Sequence, residues 1–465
     1  MAESIRPAAA RAPRAKPYLL PELCKGCGRC IGACPKDCIA FDDHVDPQTS
    51  LIPVHIDLEA CNGCGLCIEA CPEPFGLRAE IPFESQVVVD STPLPAMAED
   101  VSDQLLSLPE RQPLAIKGTH ASALGALLAG CRHFYGYPIT PSTEGSELMA
   151  RLLPKVGGVF VQAVSEVAAI NHLYGCGGAG LRGMTFTSSP GFSLMLEGIS
   201  YMIGAEVPAV VVNVMRGGPG LGNIGPEQSD IKLACRGLGH GNTHAIVLAA
   251  ASPQEMLDLT MLSFELAFKY RNPVVLLADG FLGQMTGKVE LPPAFVQPGL
   301  PGWAVSGDRE HRGNLICSIF LAEPDLEAHN LRLLAKYQSM TEAEQRAERW
   351  RCDDAEVLLV ACNTPARMAK GAVEALREQG VAAGLFRPIS LWPFPIRALA
   401  PLLERRPRVV VVEASPGQLE DELRLAVSRA GLPTPKIDNV QRYGGIIPST
   451  EEIVGKVLAG QEVAS

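Results

Sequence analysis

From Leu114 onward, short apolar runs alternate with longer stretches in which apolar residues recur every three or four positions. Continuous apolar runs suit buried strands and the longer period suits helices laid against them, so the alternation predicts βαβ units and a parallel sheet. Candidate strands are Phe134–Tyr137, Met184–Thr187, Ala209–Met215, Ala245–Leu248 and Pro273–Ala278. One helix is expected to start at Thr140 as N-cap with Pro141 at its first position, and to stop before Pro154. Others should start near Ser165 and near Ser189-Pro190, and Pro253–Lys269 reads as long and amphipathic. A second α/β unit follows, with strands Glu356–Ala361, Ala383–Phe386 and Val409–Val412 and helices Ala366–Gln379 and Gln418–Ala430. Ser449 with Glu452 forms a capping box for a last helix. The stretch between, Leu291–Trp350, offers few strands and ends in a charged helix expected over Thr341–Arg351. Ahead of Leu114 the pattern breaks: 85–113 is polar and proline-containing, as a linker should be, and 1–17 is a tail without the apolar core of a secretory signal.

The expected organisation is therefore a tail (1–17), a cysteine-rich module (18–84), a linker (85–113), a main α/β domain (114–290), a connector (291–351) and a second α/β domain (352–465). A chain of 465 residues has room for about three domains of ordinary size. Its net charge of −11 and lack of a dense Lys/Arg cluster argue against a nucleic-acid partner, because phosphate contacts need a basic face. The longest apolar stretches, such as Pro208–Val214, match a buried strand rather than the roughly 20 residues of a membrane span. A soluble, cytoplasmic protein is expected.

Nine of the fifteen cysteines lie between Cys24 and Cys71, in the pattern Cys24-x-x-Cys27-x-x-Cys30-x-x-x-Cys34-Pro35, repeated as Cys61-x-x-Cys64-x-x-Cys67-x-x-x-Cys71-Pro72. Three thiolates three residues apart can wrap one face of a [4Fe-4S] cubane, while the fourth reaches the neighbouring cluster. The spacing assigns Cys24, Cys27, Cys30 and Cys71 to one cluster, and Cys61, Cys64, Cys67 and Cys34 to the other. A zinc ribbon would pair two cysteines per knuckle, and disulfides would need an oxidising compartment. Gly26, Gly28, Gly63 and Gly65 allow the tight turns that point amides at sulfur. Cys38 matches no ligand position and reads as a small apolar residue, and 39–60 as a hairpin loop. The module resembles bacterial-type ferredoxins across Tyr18–Leu77.

The strand ending at Met215 runs into Arg216-Gly217-Gly218-Pro219-Gly220-Leu221-Gly222-Asn223-Ile224-Gly225. A G-x-G-x-x-G match lies inside it, but Pro226 follows where a dinucleotide fingerprint needs a helix to begin. This loop, together with Gly136-Tyr137-Pro138-Ile139-Thr140-Pro141, Gln162–Asn171, Thr187–Gly198, Gly239-His240-Gly241 and Ala278–Met285, resembles the alpha subunits of 2-oxoacid:ferredoxin oxidoreductases. The segment Arg387–Pro395 is similar to the transketolase C-terminal type of domain. That resemblance implies a thiamine diphosphate pyrimidine-type parallel-sheet domain followed by a transketolase C-terminal-like α/β domain. It places at Glu166 the carboxylate that hydrogen-bonds the cofactor's aminopyrimidine so that the C2 proton is lost; without it, Glu166 reads as a helix first-turn carboxylate. It implies that Pro138, Ile139 and Thr140 line the cofactor, with Thr140 near the substrate carbonyl. It assigns Arg216 to the oxoacid carboxylate or to coenzyme A.

Two departures stand out: Gly220-Leu221 where many relatives have Ser-Thr, which favours an apolar substrate side chain, and Thr119-His120 in place of Asn-Glu after Lys117-Gly118. His172, His240 and His244, and Cys131, Cys176 and Cys235, read as structural. No Gly-Asp-Gly motif with a downstream asparagine is present, since Asp279-Gly280 lacks both companions. The resemblance thus implies a beta subunit that supplies the diphosphate and Mg²⁺ site with a further [4Fe-4S] cluster, room for a separate gamma subunit, and a higher hetero-oligomer. The activity implied is coenzyme A-dependent oxidative decarboxylation of 3-methyl-2-oxobutanoate or 2-oxoglutarate, with electrons passed to ferredoxin or another acceptor. Pyruvate or an arylglyoxylate as substrate, and a non-catalytic electron-transfer subunit, are the alternatives.

Overall fold

The computed structural model describes residues 16–19, 21, 24–46, 51–72, 77–78, 103–109 and 111–462. The basic tail and most of the linker expected above lie outside them. The chain forms two compact units, Met1–Ala96 and Met97–Ser465.

In the first unit the cysteine repeat becomes a structural repeat. Each Cys-x-x-Cys-x-x-Cys run leads into a short helix, Arg29–Gly32 and Leu66–Ala70, preceded by a left-handed glycine, Gly28 or Gly65. Gly26 and Gly63 also have positive φ, so all four glycines do what an L side chain resists. At Gly26 space adds a second reason: a Cβ there would sit 2.5 Å from the Ile52 carbonyl oxygen. Two small antiparallel pairs close the module, Tyr18–Leu19 with Leu77–Arg78 and Ile39–Phe41 with Val54–Ile56; the second is the expected hairpin.

The second unit is built on a seven-stranded sheet. Its spatial order is Ser390–Trp392, Ile246–Ala249, Pro273–Asp279, Ala209–Met215, Gly183–Thr187, His133–Gly136, Val159–Gln162. All neighbours are parallel except the first pair, which is antiparallel. Ala209–Met215 and Pro273–Asp279 are buried along their whole length, as central strands covered on both faces must be, and this explains their unbroken apolar sequences. A five-stranded sheet follows, ordered Ala347–Trp350, Ala383–Pro388, Val357–Val360, Arg408–Glu413, Ile437–Gln441, with only the first strand antiparallel.

The two sheets share one hydrophobic core. Ser390–Trp392 leaves the second α/β region to pair with the edge of the first sheet, and Trp392 stacks on His244 at 4.5 Å. Asn363 Nδ2 donates to the carbonyls of Ala250 and Leu277, and the backbone N–H and hydroxyl of Thr364 both donate to Asp279.

Several expectations need correction. Thr140 is not an N-cap: Ser142 N–H and Oγ both bond the Ile139 carbonyl in a turn, and the helix begins only at Thr143. No helix spans Thr341–Arg351. A helix over Glu323–Ala343 ends where Glu344 turns inward to Lys269 and Tyr270, and Ala347–Trp350 becomes an edge strand whose Glu348 pairs with Arg387 and Lys370. Gln104–Ser107, inside the stretch read as linker, pairs with Ala294–Gln297. The strands Val159–Gln162 and Ser390–Trp392 were not anticipated as members of the main sheet.

Candidate active site and cluster module

In the ferredoxin-like unit Cys24, Cys27, Cys30 and Cys71 line one small pocket, with Pro72 and Leu77 among its other walls. These four are distant in sequence only through Cys71, which the second helix's end carries back to the first triplet. Cys61, Cys64 and Cys67 lie within electrostatic reach of one another, and Cys34 and Cys61 both lie against Cys38. Cys38 is buried with its sulfur 3.3 Å from that of Cys34, so it belongs to the cysteine-lined interior of the module. Burial pushes the Cys30 and Cys67 thiols up from their ordinary value, an environment in which iron binding must supply the thiolate. The donor set, eight thiols in two repeated runs, fits iron–sulfur ligation, and all cysteines are free of disulfides.

In the second unit, Glu166 occupies the first position of the helix Glu166–Gly178, behind an N-cap in which Ser165 Oγ accepts from Ala168 N–H at 3.2 Å. The helix follows Val159–Gln162, so its N-terminus stands at the carboxyl edge of a parallel sheet, where ligands of such folds bind. Glu166 is only 5% exposed, yet among the described residues it has no hydrogen-bond or ion-pair partner. Near it Thr187 Oγ1 is buried and unpartnered, as is Ser188 Oγ on the next residue. Buried polar atoms are rarely left so, and the two hydroxyls with the partnerless Glu166 make this the candidate ligand surface. Gly191 faces this group: a Cβ there would lie 2.5 Å from both Glu166 Oε1 and Thr187 Oγ1. The glycine leaves room for a carboxylate and a hydroxyl side by side, which fits the edge of an aminopyrimidine.

Arg216 stands at the mouth. Its Nη1 donates to the Thr140 carbonyl at 2.7 Å and its Nη2 to the Leu221 carbonyl at 3.2 Å, while Nε has no partner. The structure therefore brings Thr140 and Arg216 together, with Pro138 exposed and Ile139 half-buried in the same turn. The glycine-rich segment closes on itself through an Arg216–Pro226 bridge and a Gly217 N–H bond to the Gly225 carbonyl, and the next helix starts only at Ile231. It is not a dinucleotide turn.

The loop is anchored through Asn223, Glu227 and Ser189. Asn223 Nδ2 donates to the Gly444 carbonyl, Glu227 accepts from Gly218 N–H, and Ser189 Oγ accepts from Arg216 N–H while donating to Asp230. Asp230 is buried, which pushes its carboxyl up, against hydrogen bonds from Ser189 and Asn213. Ser189 opens the helix that carries Gly191, so the Arg216 loop and the Glu166 slot share one anchor.

The corner after Lys117 is also occupied by unanticipated residues. Lys117 bonds Glu144 and Gln284, Gln284 donates to the Pro141 carbonyl, and Thr119 Oγ1 donates to the Gly283 carbonyl. Asp279 is fully buried; Oδ1 caps the helix Gly280–Gln284 and accepts from the Thr364 hydroxyl, and Oδ2 accepts from Thr364 N–H. It is thereby committed to the fold and not to a metal. His244 is wedged between Trp392 and Tyr337, where burial pushes its pKa down.

The fold and site define an iron–sulfur subunit that presents the pyrimidine side of a thiamine site. Family profiles match in the same order: a 4Fe-4S dicluster domain at 23–74, the thiamine diphosphate-binding region of pyruvate flavodoxin/ferredoxin oxidoreductases at 124–301, and pyruvate:ferredoxin oxidoreductase core domain II at 355–453. The chain is 47% identical over 350 residues to ketoisovalerate oxidoreductase subunit VorB of Methanothermobacter marburgensis, covering 74% of this chain and 98% of that one. It is 40% identical to 2-oxoglutarate synthase subunit KorA of Archaeoglobus fulgidus, covering 66% of this chain and 90% of that one. A solved 2-oxoglutarate:ferredoxin oxidoreductase from Magnetococcus marinus, with 2-oxoglutarate, coenzyme A and succinyl-CoA bound, matches with a TM-score of 0.68 and 28% identity. That match covers 75% of this chain and 65% of that one. The chain belongs to the 2-oxoacid:ferredoxin oxidoreductase family. Among the described residues no helix is long and apolar enough to cross a membrane.

Proposed function

We propose that this chain is the alpha subunit of an oxidoreductase that converts a 2-oxoacid and coenzyme A to acyl-CoA and carbon dioxide, releasing one proton and two electrons to the iron–sulfur clusters. The observation that carries this reading is the partnerless, buried Glu166 near Thr187, in a chain whose N-terminal unit lines one pocket with Cys24, Cys27, Cys30 and Cys71. When bound, thiamine diphosphate supplies the carbon nucleophile for the oxoacid carbonyl and holds the electron pair left by decarboxylation. Glu166 hydrogen-bonds the pyrimidine edge and takes part in the proton transfer there. Arg216, with donors left over beyond Thr140 and Leu221, binds the carboxylate of the oxoacid or an anionic group of coenzyme A. Pro138, Ile139 and Thr140 line the cofactor beside it. Cys24, Cys27, Cys30 and Cys71 ligate one cluster, and Cys61, Cys64, Cys67 and Cys34 the other.

Because Asp279 is consumed by the fold, the diphosphate and its Mg²⁺ belong to a partner beta subunit, which completes the site. The substrate is a branched-chain 2-oxoacid: Leu221, 81% exposed, stands on the loop that Arg216 anchors and offers an apolar surface beside the carboxylate site. The relatives named for ketoisovalerate support the same choice over 2-oxoglutarate. Viologen reduction by the anaerobically purified complex, with a panel of 2-oxoacids and with or without coenzyme A, tests the proposal. Reduction that requires coenzyme A and is fastest with 3-methyl-2-oxobutanoate supports it. Intact clusters with no oxoacid-dependent reduction would leave only an electron-transfer subunit.

A further inference from the structure

Residues 315–321, Leu-Ile-Cys-Ser-Ile-Phe-Leu, run across the surface of the second unit without belonging to any helix or sheet. Their side chains alternate. Ile316 reaches Gly178, Ser318 lies against Gly204, and Phe320 stacks on His329 at 4.5 Å. His329 Nε2 in turn bonds the Gly204 carbonyl at 2.7 Å, which fixes the strap to the fold. The alternate residues face outward: Leu315 is 85% exposed, Ile319 69%, Leu321 94%, and Cys317 is exposed as well. Among the described residues no backbone hydrogen bond joins this run to another segment; Ile319 N–H reaches only the Cys317 sulfur. A chain with an apolar row outward and its amides unpaired is the kind of edge that proteins otherwise cover or charge.

The place of the strap identifies what covers it. Gly178 and Gly204 end the helices Glu166–Gly178 and Ser189–Gly204, which pack together through Gly198 against Ile170 and run in the same direction from the carboxyl edge of the sheet. At their N-terminal ends lie Glu166 and Gly191. Each helix also keeps an exposed row with apolar members: Val167, Asn171 and Gly175 on one, Leu194, Glu197 and Tyr201 on the other, with Val164 exposed just before Glu166. One face thus extends from the Glu166 slot down both helices, roughly 20 Å at 1.5 Å per residue, and ends on the strap. A subunit that closes over Glu166 must sit against Val164, Val167 and Leu194, and an interface of ordinary size continues beyond them.

We propose that residues 315–321 are a docking strap for the diphosphate-bearing partner subunit, which lays an extended segment along them at the far end of the face that starts at Glu166. The inference rests on the proposed function for the identity of the partner. It is read from association alone, and oxoacid turnover is a separate measurement.

Hydrogen–deuterium exchange of the iron-loaded chain, alone and in its native complex, tests it, with the partner identified by its Gly-Asp-Gly motif and bound thiamine diphosphate. Exchange at 315–321 is expected to slow at least tenfold in the complex. A double variant, Ile319→Lys with Leu321→Lys, should weaken partner binding at least tenfold while iron content and melting temperature stay unchanged. Should the variant fail to fold, exchange in the wild-type complex decides alone. Unchanged exchange at 315–321 in the assembled complex would overturn the proposal. So would protection that appears in the isolated chain with rising concentration, which would assign the strap to a second copy. A complex protected at the strap but inert toward every oxoacid would leave the docking intact and remove the catalytic reading.

Discussion

In the proposed function Glu166 is the residue on which the chemistry turns, and its surroundings say how it should respond to change. Replacement by alanine removes the carboxylate beside Thr187, and loss of a positioned proton-transfer group typically costs about 10² to 10⁴ in rate. Glu166→Ala is expected to lower oxoacid-dependent turnover by at least that factor with iron content unchanged, as read by viologen assay and iron analysis. Gly191→Ala is a sharper test of geometry, because its Cβ must displace Glu166 or Thr187. Overpacking of this kind costs about 1 to 3 kcal/mol, so a small fall in melting temperature should accompany a large loss of activity. Arg216→Lys keeps the charge but loses the planar fork that spans Thr140 and Leu221, and should raise the KM for the oxoacid or for coenzyme A more than it lowers kcat. Glu166 and Arg216 were visible in sequence because each sits in a motif. Thr187, Ser188 and Asn223 lie in segments that carry the resemblance and Asp230 just beyond one, but their places in the site were not legible, because a short polar residue beside an apolar run looks like any turn residue until the fold is known.

At the scale of elements, the strands with continuous β-branched runs were legible almost to the residue, Ala209–Met215 being the clearest case. Local signals misled where tertiary contacts outweighed them. Thr140-Pro141 has the composition of a helix start, yet Arg216 takes the Thr140 carbonyl and the turn at Ile139–Ser142 delays the helix. The charged run after Thr341 has helical periodicity, but Glu348 is worth more as the shared partner of Arg387 and Lys370 on a sheet edge. The helix Glu323–Ala343 is tied to the body by Glu206, which pairs with Arg332 and Lys336. Burial alone would raise the Glu206 carboxyl, but the two cations outweigh it and hold it below its ordinary value. As pH falls, the unfolded chain therefore takes up this proton first; the stabilisation is present above the ordinary carboxylate value and is lost as pH drops through the depressed one. The difference in melting temperature between the wild type and Glu206→Gln should shrink toward zero as pH is lowered below 4.5. A difference that stays constant with pH would assign Glu206 a packing role only. Ser165→Ala should cost about 1 kcal/mol by removing the cap behind Glu166, measured by denaturant unfolding of the second unit.

For the molecule as a whole, the cysteine repeat declared the electron-transfer unit because cubane ligation fixes its spacing. The absence of a Gly-Asp-Gly motif is the ground for proposing that the thiamine site is shared. The joining of the two sheets was hidden, since Ser390–Trp392 is three residues of ordinary strand composition whose partner lies far back at Ile246–Ala249. The isolated chain should hold about eight irons, the complement of two cubanes, and fail to retain thiamine diphosphate through gel filtration; retention by the chain alone would contradict a shared site. The most direct test of the account compares the wild type with Glu166→Ala, each assembled anaerobically with the partner subunit, in viologen reduction driven by 3-methyl-2-oxobutanoate and coenzyme A. The account predicts turnover that needs both substrates in the wild type and at least a hundredfold loss in the variant with its clusters intact; near-normal turnover in the variant would contradict it.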